Sequence, residues 1–362
     1  MLYRYSTSTD GKPVRKAKIY TVLEHGIRLR DIDYDAISII RRLNSCGFRA
    51  YIVGGAVRDL LAGKKPKDFD LATNARPNAI RKLFRRSRII GKRFKLVHVY
   101  FKRDKIIEVS TFRSSSSDGS NNNIYGSLGE DAFRRDFTLN ALFYCPLKEQ
   151  VIDYVDGYRD IKNRRIRVLG IPRRSFQEDP VRMIRAVKHA AMLGFTIPFT
   201  TSFSIKRYRK KIYSCSRERL TEEMYKILET GYANPILQLA YRLGLVDVLL
   251  PSVEPFLKPN KNTIDRSPFF RRLGKLDQRC RENQKLERGE MLAVLFLELI
   301  DGHAEWIKES LASIQQVIRE NVTPLIPSNK DLKTTARILK QTLKRTQARD
   351  ILPFYQRRLS MR

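Results

Sequence analysis

Cysteine and histidine are scarce in this sequence, and their scarcity excludes several classes of protein. The four cysteines and four histidines are far apart, and no pair of cysteines has the CxxC spacing of a zinc site. A zinc finger and a small disulfide-stabilised fold are therefore both excluded. Scattered, unpaired cysteines are typical of a reducing compartment, so we expect a cytoplasmic protein. The cysteines are Cys46, Cys145, Cys215 and Cys280.

Long apolar runs are also missing. No stretch of the sequence approaches the ~18 apolar residues that a membrane-spanning helix needs. Residues 1–31 are polar and basic, without the apolar core of a secretory signal. We therefore expect neither a membrane span nor secretion.

Acidic residues are outnumbered by basic residues to an unusual degree. The 362 residues include 71 Lys and Arg against 38 Asp and Glu, a formal net charge of +33. An excess of this size raises self-repulsion without helping the fold, so solubility alone explains it poorly. A polyanionic partner explains it better, and nucleic acid is the commonest one.

Hydrophobic periodicity divides the chain into a mixed region and a helical region. Short apolar runs alternate with helical patterns over 32–146, and from residue 179 onward the pattern is helical almost throughout. We therefore predict an α+β fold, a mixed-sheet head followed by helices. The predicted strands are 50–53, 69–72, 96–101, 106–112 and 138–144, and the predicted helices of the head are 32–46, 56–61 and 77–84. The predicted segments are a basic N-terminal extension (1–31), the head (32–146), a helical neck (147–250) and a helical basic C-terminal region (251–362).

Asp68 and Asp70 flank Phe69 in one of the predicted strands, and they are central to the function. Alternate residues of a strand share a face, so both carboxylates would project together while Phe69 points into the core. Two such carboxylates can share divalent cations, as two-metal phosphoryl transfer requires. An acidic pair on an exposed turn is the ordinary alternative, and the DxD motif alone does not exclude it.

Gly54 and Gly55 lie between a predicted strand and a predicted helix, where backbone N–H groups can approach a triphosphate. A purely structural turn is the alternative for this pair. Arg58 follows on the helix, within reach of a phosphate. An ion pair with its neighbour Asp59 is the more ordinary role for such an arginine.

Residues 51–63 together with 67–70 resemble the signature of the class II nucleotidyltransferases, the family of bacterial poly(A) polymerases and tRNA CCA-adding enzymes. The resemblance continues through segments similar to the family's second motif (130–140), flexible connector (153–160), nucleotide-recognition helix (178–185) and the motif that supports this helix (217–228). It implies an enzyme that adds nucleotides to RNA 3′ ends, with ATP as substrate and two Mg²⁺ ions held by Asp68 and Asp70.

Further residues acquire expected roles through this resemblance. Asp136 is also expected to be catalytic, and it would contact a sugar hydroxyl or a metal. Glu108 is a candidate third carboxylate beside the aspartates, although its side chain could instead be satisfied by an arginine or the backbone. Asp179 and Arg182, three apart on one helical face, offer an acceptor and a donor to the edge of a base, or form an ordinary ion pair. The full expected nucleotide-binding set is Gly54, Gly55, Arg58, Arg135, Asp136, Asn140, Asp179, Arg182 and Arg185.

Residues 89–101 resemble the segment that distinguishes bacterial poly(A) polymerases from their CCA-adding relatives, which favours addition of AMP. The first alternative is a tRNA CCA- or A-adding enzyme. The second, of another class, is a non-catalytic RNA-binding protein on the same scaffold, which the intact Asp68 and Asp70 disfavour. The Ser-rich and Asn-rich residues 114–123 are predicted to form a mobile loop.

RNA contacts are expected on the basic helical part of the chain. The expected partners are ATP and the 3′ ends of mRNA, small RNA or tRNA, bound by a monomer. Tyr208, Tyr213 and Phe354 are candidates for stacking on bases, with a packing role as the alternative. The leading basic candidates are the segment 330–362 and the cluster Lys206, Arg207, Arg209, Lys210 and Lys211.

Overall fold

The computed structural model describes residues 1–7, 13–91, 96–102, 104–114, 125–257, 267–302 and 304–359. The chain forms two compact units. The first comprises Met1–Pro172 with Phe195–Pro198, and the second comprises Arg173–Gly194 with Phe199–Arg362. The predicted order, a mixed-sheet head followed by helices, is confirmed. The finer division into four segments stays a prediction.

One mixed sheet forms the first unit. Its strands are β1 (Leu2–Thr7), β2 (Pro13–Tyr20), β3 (Ala50–Val53), β4 (Asp70–Thr73), β5 (Ser87–Ile90), β6 (Leu96–Tyr100), β7 (Ile106–Thr111), β8 (Leu142–Cys145) and β9 (Gln150–Asp153). The spatial order is β1-β2-β9-β8-β3-β4-β7-β6-β5. Only the pairing of β4 with β7 is parallel among these strands. The parallel pair matters for function because it sets Asp70 beside β7.

The first two strands lie in the segment predicted as an extension ahead of the head. β2 pairs with β9 through Lys18↔Asp153 and Ile19↔Ile152, so these residues belong to the head sheet. The interpretation of 1–31 as an extension is corrected in this respect. The strand signal is weak because charged residues interrupt it, and only Ala17 and Tyr20 of residues 16–20 are buried.

The helices of the first unit are α1 (Val22–His25), α2 (Tyr34–Ser45), α3 (Gly55–Leu61), α4 (Pro77–Leu83), α5 (Leu128–Phe133) and α6 (Gly157–Lys162). α2 begins two residues later than predicted because Asp33 caps it. The Asp33 carboxylate accepts hydrogen bonds from the backbone N–H groups of Asp35 and Ala36 at 2.9 and 3.3 Å. Those bonds satisfy donors that the first turn of a helix leaves open.

One predicted strand of the head is shorter than expected. The apolar run 138–144 begins with a 3₁₀ turn, Thr138–Asn140, and β8 starts only at Leu142. The turn buries all three of its residues, so its apolar pattern resembles that of a buried strand. The sequence does not predict β5 or β9 either.

The second unit is helical in the elements that the structure describes. They are α7 (Pro172–Glu178), α8 (Val181–Leu193), α9 (Phe199–Tyr208), α10 (Arg217–Leu228), α11 (Ala233–Arg242), α12 (Val246–Leu249), α13 (Glu254–Leu257), α14 (Pro268–Arg281), α15 (Arg288–Leu295), α16 (Leu311–Asn321) and α17 (Asn329–Leu359), with short 3₁₀ turns between some of them. Among the described residues, no helix combines the length and apolar character needed to cross a membrane.

α17 carries much of the basic segment 330–362, and its first half is part of the core. Leu332, Ala336 and Leu339 are at most 1% exposed. The Thr335 hydroxyl also bonds the backbone carbonyl of Gly289 at 3.0 Å. The cationic residues of this half lie on the opposite, outer face. Removing the whole segment would therefore destroy packing as well as charge.

Candidate active site

Asp70 is the first residue of β4, and the sheet places it beside a second acid. Leu71 is paired with Val109 in the parallel β4–β7 ladder, so Asp70 is level with Glu108. Asp68 lies in the loop before the strand, not on the strand as predicted, and Phe69 is half-buried rather than a core residue. All three acids are exposed. We call Asp68, Asp70 and Glu108 the acid cluster.

The ionisation of Asp70 is perturbed by its surroundings and by the other two acids of the cluster. Loss of hydration against the surrounding protein is the main cause, and the charges of Glu108 and Asp68 add to it. Together they raise the pKa of Asp70 to about 6, although the cation of Arg135 opposes the shift. Nearby carboxylates disfavour the ionised form of a carboxyl. The contributions of Glu108 and Asp68 therefore indicate that the three acids lie close together.

The donor set of the acid cluster suits Mg²⁺. This ion prefers oxygen ligands and is usually bound by one or two carboxylates together with substrate phosphates, not by a complete protein cage. The described residues contain no group of three or more His, Cys, Asp or Glu placed to hold an ion by themselves. Asp68 and Asp70, with Glu108 beside them, therefore fit a cation that shares its ligands with a substrate.

Glu108 has a partner that the sequence analysis did not single out. The Nε2 atom of His98, on β6, lies 3.2 Å from the Glu108 carboxylate, and the two residues face each other in the β6–β7 ladder. His98 thereby restricts the orientation of the third acid. The only signal in the sequence is the alternation of β6, which does not reveal a pair across two strands.

Gly54 forms the turn between β3 and α3, next to the acid cluster. Its backbone has φ 67° and ψ −127°, a conformation that favours glycine. A Cβ at Gly54 would come within 3.3 Å of the Arg135 Nη1 atom. No side chain caps the first turn of α3, which leaves its first backbone N–H groups without a side-chain cap.

Arg135 is held in place beside this turn. Its guanidinium donates to the Asp131 carboxylate at 2.9 Å and to the backbone carbonyl of Asn140 at 3.1 Å. The same group lies 5.3 Å from the ring centroid of Phe143. These three contacts fix a cation near Gly54, where the prediction requires one to face phosphates.

A chain of hydrogen bonds connects three other predicted residues. Arg58 is buried and donates to the Asn140 side-chain oxygen at 3.0 Å, and Asn140 donates to the Asp136 carboxylate at 3.1 Å. Arg58 also pairs with Asp59 at 2.7 Å. The structure thus gives Arg58 a positioning contact, while direct binding of phosphate by Arg58 stays a prediction.

The segment 153–160, similar to the family's flexible connector, is buried and hydrogen-bonded in this protein. The Asp153 carboxylate accepts bonds from the backbone N–H groups of Val155, Gly157 and Tyr158 at 2.9 to 3.1 Å. Asp160 accepts from the Arg167 guanidinium at 2.7 Å. These contacts hold the segment in the structure, and its role as the family's connector stays a prediction.

In the second unit, Asp179 and Arg182 have separate side-chain partners. Asp179 lies between α7 and α8, not on the predicted helix, and both of its carboxylate oxygens accept from Arg219, at 3.1 and 3.0 Å. Arg182 donates to the Ser175 hydroxyl at 2.7 Å and lies 3.6 Å from Glu178. Each of the two side chains is therefore held by its own partner, and their joint contact with a base stays a prediction. In the sequence, Arg219 is part of the segment 217–228, which resembles the motif that supports the nucleotide-recognition helix.

Arg185 lies one turn beyond Arg182 on α8, near a buried ion pair. Lys188 and Glu223 join α8 to α10 at 2.9 Å, with 11% and 12% of their side chains exposed. Burial lowers the pKa of Lys188, Glu223 opposes this, and Arg185 adds to the lowering. The charge of Arg185 also lowers the pKa of Glu223, and the expected role of Arg185 in nucleotide binding stays a prediction.

The predicted basic cluster is exposed on and after α9. Lys206, Arg207, Lys210 and Lys211 face solvent, and Arg209 is close to Asp247 at 3.6 Å. Residues 92–94 of the poly(A)-type segment, and 115–123 of the predicted loop, lie outside the described residues.

Known proteins share both units of this chain. The family model for the poly(A) polymerase head domain matches residues 50–167, and the model for the probable RNA- and SrmB-binding site of polymerase A matches residues 194–257. Poly(A) polymerase I of Escherichia coli is 40% identical over 288 residues, which cover 75% of this chain. This chain belongs to the class II nucleotidyltransferase family.

Other members of the family are similar at lower identity. The CCA-adding enzyme of Bacillus subtilis is 36% identical over 242 residues, 65% of this chain and 59% of the relative. The crystal structure of the Bacillus stearothermophilus CCA-adding enzyme in complex with CTP is 29% identical, with a TM-score of 0.58, and covers 86% of this chain and 80% of that one. The chain spans 62% of the length of the Escherichia coli relative. The predicted family and fold class are confirmed.

Proposed function

We propose that this nucleotidyltransferase adds AMP from ATP to the 3′ ends of RNA, without a template and with release of pyrophosphate. The observation that carries the proposal is the acid cluster beside the Gly54 turn. Its carboxylates fit cations that share ligands with a triphosphate, and Arg135 lies close enough to Asp70 to oppose the rise of its pKa. The 40% identity to a poly(A) polymerase supports AMP as the nucleotide added.

The acids of the candidate site would contribute to this chemistry by binding metal ions. Asp68 and Asp70 would hold two Mg²⁺ ions, with Glu108 next to them. When bound, such ions would supply a lower pKa for the RNA 3′-hydroxyl and neutralisation of charge on the leaving pyrophosphate. The 3′ oxygen then bonds to the α-phosphorus while the bond to the β-phosphate oxygen breaks. No enzyme-bound intermediate is required.

The remaining head residues orient the nucleotide. The Gly54 turn and Arg135 would bind phosphate oxygens through backbone N–H groups and a guanidinium. Arg58 orients Asn140, and Asn140 in turn orients Asp136 toward a sugar hydroxyl or a metal. Ordered donors of this kind position substrate without reorganisation during the reaction.

Base selection is proposed for Asp179 and Arg182. Adenine presents a donor at N6 and an acceptor at N1, which match a carboxylate and a guanidinium in that order. Cytosine presents a similar pair at N4 and N3. These side chains therefore exclude guanine and uracil better than they exclude cytosine, and pocket shape must separate A from C.

A tRNA CCA-adding activity is the second candidate, because the same head and helices occur in CCA-adding enzymes at 36% identity. Polyadenylation of mRNA and small RNA in the cytoplasm belongs to the main proposal.

The test is incubation of the purified protein with labelled RNAs, each NTP being supplied separately. One RNA has an arbitrary 3′ end, and the other is a tRNA without its terminal CCA. Long products on the arbitrary RNA with ATP alone support the proposal. Addition of two C and one A to the tRNA, with arrest there, supports the second candidate. No incorporation in Mg²⁺ with any NTP would overturn both.

A further inference from the structure

α9 presents two large aromatic side chains to solvent, which is unusual for a helix with a buried face. Phe199 and Phe203 are 82% and 60% exposed, while Thr201 and Ile205 of the same helix are buried. The two rings are stacked with centroids 6.4 Å apart and planes 28° apart. Exposing two phenylalanines costs hydrophobic free energy, so a bound partner would gain by covering them.

Cations continue the same face. Lys206, Arg207 and Lys210 follow Phe203 by one and two turns, and all three are exposed. A groove of about 400 Å³ is lined by Phe203 and these cations, together with Arg209. Lys206, Arg207 and Lys210 have no carboxylate partner within the part of the chain that the structure describes. We call Phe199, Phe203, Lys206, Arg207 and Lys210 the α9 strip.

Beyond the match of residues 194–257 to a probable RNA-binding site, we propose that Phe199 and Phe203 of the α9 strip stack on the bases of single-stranded RNA, while the adjacent cations bind its phosphates. Aromatic rings stack on any base, and exposed cations beside them neutralise the backbone. The groove is lined by one aromatic ring and four cations. It therefore suits a ligand in which flat apolar groups alternate with negative charges. The inference rests on the proposed function, because it names the contacts that hold the RNA to be extended.

The two halves of the α9 strip make separable contributions to binding. Removal of the rings takes away stacking without changing charge, so affinity falls while its dependence on salt stays the same. Removal of the cations lowers the dependence on salt, by about 0.7 in the slope of log K against log salt for each phosphate that is no longer neutralised.

The experiment measures binding of the full chain to a fluorescent oligoadenylate of roughly a dozen nucleotides, without NTP. A second strand of equal length has abasic riboses. Phe199→Ala/Phe203→Ala should weaken binding of oligoadenylate by about tenfold or more and leave the abasic strand unaffected. Phe199→Tyr/Phe203→Tyr should keep wild-type affinity, since tyrosine also stacks. Tyr34→Ala is the matched control, because Tyr34 is 74% exposed in the first unit.

The outcomes separate the inference from the proposed function. Equal binding of both strands by the wild type and the alanine variant would overturn the stacking platform, even if the wild type extends RNA with ATP. A selective loss of oligoadenylate binding in a protein that adds no nucleotide would retain the platform and reject the function. Loss of binding to phosphatidylserine vesicles, with RNA binding unchanged, would assign the strip to a membrane surface instead.

Discussion

The acid cluster groups negative charges and the α9 strip groups positive charges, and different structural features bring the charges of each region together. In the acid cluster, the register of β4 with β7 brings Asp70 level with Glu108, and the repulsion contributes to a pKa of about 6 for Asp70. In the α9 strip, cations simply follow one face of a helix. Other surface charges are paired; Arg288, for example, contacts Glu222 at 2.8 Å and Glu229 at 3.2 Å. In the acid cluster and the α9 strip, by contrast, several charges of one sign lie together, and a ligand of opposite charge would stabilise them.

The largest expected effect separates chemistry from RNA affinity. Asp70→Ala or Asp68→Ala should reduce nucleotide addition by more than about a hundredfold, because a catalytic metal is worth several kcal/mol. RNA binding should persist, since it depends on cations of the second unit. Turnover in Mg²⁺ and binding by anisotropy are measured on the same preparations. Retention of more than roughly a tenth of wild-type turnover would contradict the two-metal assignment.

A smaller effect is expected at the turn beside the acid cluster. Gly54→Ala should reduce turnover, because the backbone is at φ 67° and the new Cβ would press on Arg135 at 3.3 Å. The strain should also cost about 1–3 kcal/mol of unfolding free energy. Gly63→Ala is the matched control, since Gly63 also has a positive φ of 71°, but a Cβ added there would meet no atom within 4 Å.

Chemical denaturation and turnover, measured on both glycine variants, decide the question. If the two variants lose stability alike and only Gly54→Ala loses activity, the contact with Arg135 is functional. Equal losses of activity in both would attribute the effect to backbone strain alone.

The preference for ATP over UTP should change by about tenfold, which corresponds to the free energy of one charge-assisted hydrogen bond. Arg182→Ala should reduce the preference for ATP over UTP while leaving RNA binding intact. Arg219→Ala should reduce it too, because Arg219 holds both oxygens of Asp179. Arg288→Ala, which breaks surface ion pairs of the same unit, serves as control. An unchanged ATP preference in Arg182→Ala would reject the base-reading role.

The smallest effect concerns stability and pH. The folded protein raises the pKa of Asp70 from 3.8 to about 6, so ionised Asp70 destabilises the fold above that pH. Asp70→Asn should therefore be more stable than the wild type at pH 7 in the absence of metal. Because Asp70 is exposed, the gain should be no more than about 1 kcal/mol. It should shrink as pH falls through 6 and vanish below about 4. Unfolding midpoints at several pH values provide the measurement.

The local patterns of the sequence were sufficient for β3, α3 and the helical character of the second unit, although not for each of its helices. These elements have strong apolar periodicity and end at clear signals such as Gly54 or Gly194. The pairing of β2 with β9 was not predicted because it joins residues far apart in sequence. No local pattern indicates that Lys18 faces Asp153.

The same distinction applies to the candidate site. Asp68, Asp70 and Gly54 are close in sequence, so a motif reveals them together. His98 beside Glu108, and Arg219 beside Asp179, are contacts between elements, and the residues are ordinary surface types in isolation. Only the register of the sheet and the packing of helices bring such partners together.

The pairing of β2 with β9 has a consequence for synthesis of the protein. The hairpin β1–β2 is translated well before its partner strand β9, which ends at Asp153. At about 5–20 residues per second, the interval between them on the ribosome is on the order of ten seconds. During that time the edge of β2 is unpaired, and such an edge is prone to join another chain. Protease protection of stalled nascent chains should therefore show the hairpin becoming resistant only after residues beyond 153 have emerged.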